Sequence, residues 1–139
     1  MKYMIASDIH GSSYYCQKLM DAYKYEKTDR LILLGDILYH GPRNDLPKDY
    51  APKKVIEMLN SISDSILCVR GNCDCEVDQM VLNFPCLADY SVLDINGLFI
   101  YCTHGHLEPV KLKMGDILLS GHTHIPAIED RDGIIYMNQ

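Results

Sequence analysis

The chain has 139 residues, 47% of them apolar, and a net charge of -6. That length suits one compact domain over residues 1–139 with enough apolar material for a core, and it excludes a fibrous or disordered chain. The negative balance, with no Lys/Arg block, argues against a long nucleic acid as the partner.

Residues 2–7 read as a buried strand that runs straight into Asp8. No basic stretch followed by a long apolar one marks a signal peptide, and no run approaches the roughly 20 apolar residues of a membrane helix. The expectation is a soluble, cytoplasmic protein with no membrane partner. Ser12 suits the cap of a helix in which Cys16, Leu19, Met20 and Tyr23 repeat at helical spacing. Leu31–Leu34 is a second apolar run, so strand, helix and strand imply a right-handed βαβ unit with parallel strands. Residues 39–52, with Pro42, Pro47 and Pro52, read as a long loop, and Pro52 suits the first turn of a helix carrying Val55, Ile56 and Leu59. Ile66–Val69 reads as the third strand and residues 76–83 as a short helix.

Beyond that point the pattern turns β-rich. Tyr90–Ile95 and Leu98–Cys102 flank Asn96-Gly97, and Ala127–Glu129 and Ile134–Met137 flank Asp132-Gly133, both strong hairpin signals. Asp116–Leu119 is a strand between them. The sum is one α/β domain of two packed sheets with flanking helices. Of the six cysteines, Cys16, Cys68 and Cys102 lie in apolar patterns and read as buried free thiols. Cys73 and Cys75 form a C-x-C pair, but no second pair has the spacing of a structural zinc site.

Metal-ligand side chains gather in five short blocks, each ending an apolar run: Asp8-Ile9-His10, Gly35-Asp36, Gly71-Asn72, His104-Gly105-His106 and Gly121-His122-Thr123-His124. In an extended segment, positions i and i+2 point to one side, so Asp8 and His10 can reach one ion together. A carboxylate at Asp36 can bridge two ions through its two oxygens. The neutral amide of Asn72 limits the negative charge. Singly, each block is a common turn or loop sequence. Together they place five of the six histidines in three blocks at strand exits. Mixed imidazole, carboxylate and amide donors suit two divalent ions of middling hardness.

In this order the blocks resemble the calcineurin-like metallophosphoesterase superfamily over nearly the whole chain. The stretches from Gly35 to Asn44 and from Val69 to Asp74 are similar to its small YfcE-type phosphodiesterase group. The resemblance implies a four-layer αββα sandwich. It implies Asp8, His10 and His124 on a first metal, Asn72, His104 and His122 on a second, and Asp36 between them, with Asp36, Asn72 and His104 counted as catalytic. It further implies two divalent ions, Mn²⁺ or else Fe, Ni, Co or Zn, and a hydroxide held between them that attacks a small phosphorylated substrate. Phosphodiester hydrolysis is the expected activity. Phosphomonoesterase, nucleotide pyrophosphatase and a non-catalytic scaffold like the retromer subunit are the alternatives.

Many relatives place a proton-donating His after the metal-binding Asn and a supporting Asp three positions after the bridging Asp. Here those positions hold Cys73 and Tyr39. His40 is the substitute acid that the loop offers, and His40, Arg43 and Asn44 are the expected substrate contacts. Arg70 is a further phosphate contact or the partner of a carboxylate. His106 orients His104 or meets substrate, and Asp74 makes turn contacts or supports the metal-binding residues from behind. The sequence stops at Asn138-Gln139, where relatives continue with Asn-Pro-Gly-Ser and further strands. A truncated C-terminal sheet with an open edge, and pairing into a homodimer or higher oligomer, are therefore expected.

Overall fold

The computed structural model describes residues 1–139. Strand β1 (Tyr3–Ala6), helix α1 (Ser13–Tyr25) and strand β2 (Arg30–Leu33) form the first strand–helix–strand unit. Helix α2 (Pro52–Asn60) and strand β3 (Ile66–Cys68) repeat it, and helix α3 (Glu76–Val81) follows. The three strands pair in parallel in the order β1-β2-β3. The rest of the chain is β4 (Tyr90–Ile95), β5 (Leu98–Thr103), β6 (Ile117–Ser120), β7 (Ala127–Arg131) and β8 (Ile134–Asn138), in a sheet ordered β4-β5-β6-β8-β7. Both expected hairpins form, β4–β5 and β7–β8, while β6 runs parallel to β5 and to β8. Their turns carry positive φ at both central residues, 53° and 84° at Asn96-Gly97 and 54° and 82° at Asp132-Gly133. That is the geometry that joins two twisted strands through two residues.

Local chemistry sets the helix starts. The Ser12 hydroxyl accepts from the Tyr15 N–H at 3.2 Å and donates to the Lys48 carbonyl at 2.6 Å, so one cap also ties down the long loop. Pro52 occupies the first turn of α2, where its missing N–H costs nothing.

The first sheet is buried on both faces, which is why its strands read as continuous apolar runs rather than alternating ones. Leu31 and Leu33 turn towards the helices and pack with Cys16, Val55 and Leu59. Ile32 and Leu34 turn the other way and pack with Cys102 and Leu119 of the second sheet. Cys16, Cys68 and Cys102 are buried free thiols, and Cys86, which showed no such pattern, is buried as well. The layers are helices, first sheet and second sheet; all helices precede β4, and the outer face of the second sheet leaves Tyr90 and Val92 exposed.

All five ligand blocks follow strands that belong to parallel pairs: β1, β2, β3, β5 and β6. Their C-terminal ends share one edge of the two-sheet core, the usual place for a site in α/β sheets.

Candidate metal centre

The strand exits bend sharply to bring the side chains together. Asp8, His10, Asp36, His122 and His124 have φ of 57°, 51°, 56°, 71° and 60°, a left-handed conformation uncommon for residues with a Cβ. Asp8 and His10 therefore converge through two left-handed bends beyond β1, not through the alternation of an extended strand. Such strain costs about 1–3 kcal/mol per residue and persists where the surroundings over-determine it.

Asp8 Oδ1 stands 3.2 Å from His124 Nε2, 3.5 Å from His10 Nε2 and 3.8 Å from His104 Nε2. Asp36 Oδ2 stands 3.5 Å from His10 Nε2 and 3.1 Å from His104 Nε2. His122 Nδ1 is 3.0 Å from Asn72 Oδ1 and 3.2 Å from His104 Nε2. Three donor groups result: Asp8, His10 and His124; Asp36, His104 and His122; and, sharing a member with each, His10, Asp36 and Cys73. Asn72 closes the second.

These donors fit metal ions. Asp8 Oδ1 is buried and accepts no hydrogen bond, though imidazole nitrogens surround it. Leaving a buried carboxylate oxygen unpaired is costly, and a cation in that space removes the cost. His10 Nδ1 donates to the Tyr39 carbonyl at 2.8 Å and His104 Nδ1 to the Leu34 carbonyl at 2.6 Å. With that tautomer fixed by backbone, each Nε2 lone pair faces the centre, as metal-binding histidines require.

The two carboxylates are not free to turn. Asp8 Oδ2 accepts from Ser7 Oγ at 2.6 Å and the His122 N–H at 2.9 Å. Asp36 Oδ1 accepts from the Cys73 N–H at 2.8 Å. That bond leaves Asp36 Oδ2 facing His10 Nε2 and His104 Nε2. Burial would raise the Asp8 carboxyl, but the adjacent His10 ring, the Ser7 hydroxyl and the His122 N–H outweigh it and hold it at about 2. Burial likewise opposes ionisation of Asp36, yet His104 and the Cys73 N–H hold it below the usual carboxylate range. Burial works against charging His10 and His104 too, but Asp8 and Asp36 respectively lead the groups that raise them.

Asp74 takes the supporting role of its two expected ones. Its buried carboxylate accepts from the N–H groups of Asp36 at 2.8 Å, Gly71 at 2.7 Å and Ile37 at 3.0 Å. It clamps the Asp36 and Asn72 loops against each other. The residue count between Asp74 and Asp36 gave no hint of this, since the bonds run to backbone. Space is equally tight. A Cβ on Gly71 would overlap Asp36 Oδ1, and a Cβ on Gly121 would overlap Ser7 Oγ.

Around the donors, Arg43 and Asn44 share the wall of an open cleft of about 760 Å³ with Tyr39, Asn72, Cys73 and His122. Asn44 Nδ2 donates to the His40 carbonyl at 2.8 Å, which braces that loop. The His40 ring sits edge-on between the Tyr39 and Tyr50 rings, at 4.8 and 5.3 Å, beside a neighbouring pocket. Arg70 pairs with Asp89 at 2.8 Å, the second of its two expected roles. His106 packs edge-on against His104 at 5.3 Å, while the hydrogen bond that orients His104 comes from Leu34. Cys73 lies beside the centre. Burial, with the Asp36 and Asp74 charges, pushes its thiol up to about 11, so it is neutral at pH 7. Cys75 instead caps α3.

Residues 1–139 match the family model of the calcineurin-like phosphoesterase superfamily domain. The chain belongs to that superfamily. Phosphodiesterase YfcE of Escherichia coli K12 is 44% identical over 142 residues, covering 99% of this chain and 77% of the relative. A structure of E. coli YfcE, described as a phosphoesterase, superposes with a TM-score of 0.96 over 99% of this chain and 78% of that one. A Vps29 structure from Entamoeba histolytica, 19% identical, shares the fold at a TM-score of 0.63, over 99% and 73% of the two chains. Membership makes this chain a metal-dependent hydrolase of phosphoesters, and no helix is long and apolar enough to cross a membrane.

Proposed function

We propose that the chain is a phosphodiesterase acting on small phosphodiesters through two divalent ions, with Mn²⁺ the activating metal. One ion would rest on Asp8, His10 and His124, the other on Asn72, His104 and His122, with Asp36 Oδ2 shared. The observation that carries this reading is the position of that oxygen, 3.5 Å from His10 Nε2 and 3.1 Å from His104 Nε2, between the two donor groups. When bound, the ions activate water as the nucleophile and draw charge from the phosphoryl oxygens.

The chain's own residues do the rest. The Leu34 and Tyr39 carbonyls hold two histidines in the donor tautomer. Arg43 and Asn44 lie on the cleft wall where a guanidinium and an amide can meet the non-bridging oxygens of a phosphate. The Cys73 thiol is neutral and a weak proton donor, so the leaving group departs without strong general-acid help. The 44% identity to YfcE, a named phosphodiesterase, supports the diester over the monoester.

The test compares bis-p-nitrophenyl phosphate with p-nitrophenyl phosphate on metal-stripped protein before and after adding Mn²⁺, with His104→Ala alongside. Mn²⁺-dependent diester cleavage, lost in the variant, is expected. Faster cleavage of the monoester would overturn the diester assignment.

A further inference from the structure

A second pocket, of about 420 Å³, opens beside the cleft that holds Arg43, and the two share His10, Asn44 and His124. Two separate spaces therefore meet at the first donor group. A phosphomonoester has one ester arm and would leave one of them empty. A diester has two arms and needs both.

The walls of the second pocket say what its arm is made of. The Tyr15 ring is 56% exposed and lines it together with Leu19, Pro47 and buried Ile9. A flat apolar group gains most against such a surface. The pocket's remaining lining is mostly polar, with two carboxylates, Asp8 from the donor group and Asp45; Asp45 repels a further phosphate and accepts hydrogen bonds from hydroxyl or amino groups. A pyrophosphate or polyphosphate arm is disfavoured there by charge.

We infer that the pocket of Tyr15, Leu19 and Pro47 binds one ester arm of the substrate, and that this arm is an uncharged planar group. This rests on the phosphodiesterase reading and deepens it, since it names the substrate class as diesters with an aromatic arm and sets aside nucleotide pyrophosphates. Tyr15 is an exposed residue of α1 and offers neither a carboxylate nor an imidazole to an ion, so it sets specificity without taking part in the chemistry.

The test is calorimetric titration of the Mn²⁺-loaded protein with diphenyl phosphate and dimethyl phosphate, for wild type, Tyr15→Ala and Tyr15→Phe. Wild type is expected to bind diphenyl phosphate about tenfold more tightly, the scale of one aromatic contact. Tyr15→Ala should remove most of that preference and leave dimethyl phosphate unchanged, and Tyr15→Phe should retain it. A preference untouched in Tyr15→Ala would overturn the inference. So would equal weakening of both ligands, which would mean that Tyr15 only supports the fold, or failure of wild type to bind either diester. Binding is read without turnover. The phosphodiesterase reading fails separately, if the wild type cleaves no diester with any metal.

Discussion

Replacing Asp74 by Ala should damage the protein out of proportion to a residue that touches no metal. Its carboxylate is the acceptor for three buried N–H groups, those of Asp36, Ile37 and Gly71. Each buried donor left without a partner costs about 1–3 kcal/mol, so the gross penalty is about 3–9 kcal/mol. Relief of the repulsion between Asp74 and Asp78 offsets part of it, as does water entering the vacated space. A net loss of about 3–4 kcal/mol follows, a large share of the 5–15 kcal/mol that holds a typical domain together. Asp74→Asn keeps one acceptor oxygen for Asp36 and Gly71 but turns its NH₂ towards the Ile37 N–H, so it should cost about 1–3 kcal/mol. Urea unfolding of the metal-free proteins gives these differences. Metal titration should show a further fall of about 10–100-fold in affinity, because the clamp positions Asp36 and Asn72. Asp74→Ala within about 1 kcal/mol of wild type, with metal affinity intact, would refute the clamp.

Metal-free and metal-loaded protein should respond to pH in opposite directions. His10 and His104 are raised in the fold above 6.5 by their facing carboxylates. The stability those pairs contribute is full below that value and is lost as pH rises through the raised ones, while ion binding improves as the rings deprotonate. The melting temperature of the stripped protein should fall as pH rises above 6.5 while that of the Mn²⁺-loaded protein holds or rises, and parallel curves would count against the coupling. Gly71→Ala and Gly121→Ala should each abolish tight metal binding, since the added Cβ meets Asp36 in the first and Ser7 and Asp8 in the second. Equilibrium dialysis checks this. With Cys73 in place of a strong proton donor, aryl diesters should be cleaved far faster than alkyl diesters, by about 10²–10⁴-fold. A rate that does not vary with leaving-group pKa would sink that explanation.

The clustering of the donor side chains was legible because each block interrupts an apolar run with Gly, Asp or His, and parallel strands deliver their ends to one edge. The hairpins were legible for a similar reason: Asn96-Gly97 and Asp132-Gly133 tolerate the left-handed turn that joins them. What escaped the sequence acts through backbone. The Leu34 and Tyr39 carbonyls that orient His10 and His104 carry no side-chain signature, and Asp74 binds N–H groups that any residue could supply. The convergence of Asp8 and His10 was foreseen, but by strand alternation. The left-handed bends that produce it are unfavourable for Asp and His and no local preference announces them. Cys86 is buried by the packing of Leu82 and Phe84 after α3, a segment without periodicity.

The most direct test of the account is anomalous diffraction from a crystal grown with Mn²⁺. Two peaks about 3.5–4 Å apart are expected, one among Asp8, His10 and His124 and one among Asn72, His104 and His122, both in contact with Asp36 Oδ2. A single peak, or a pair that leaves Asp36 Oδ2 free, would contradict it.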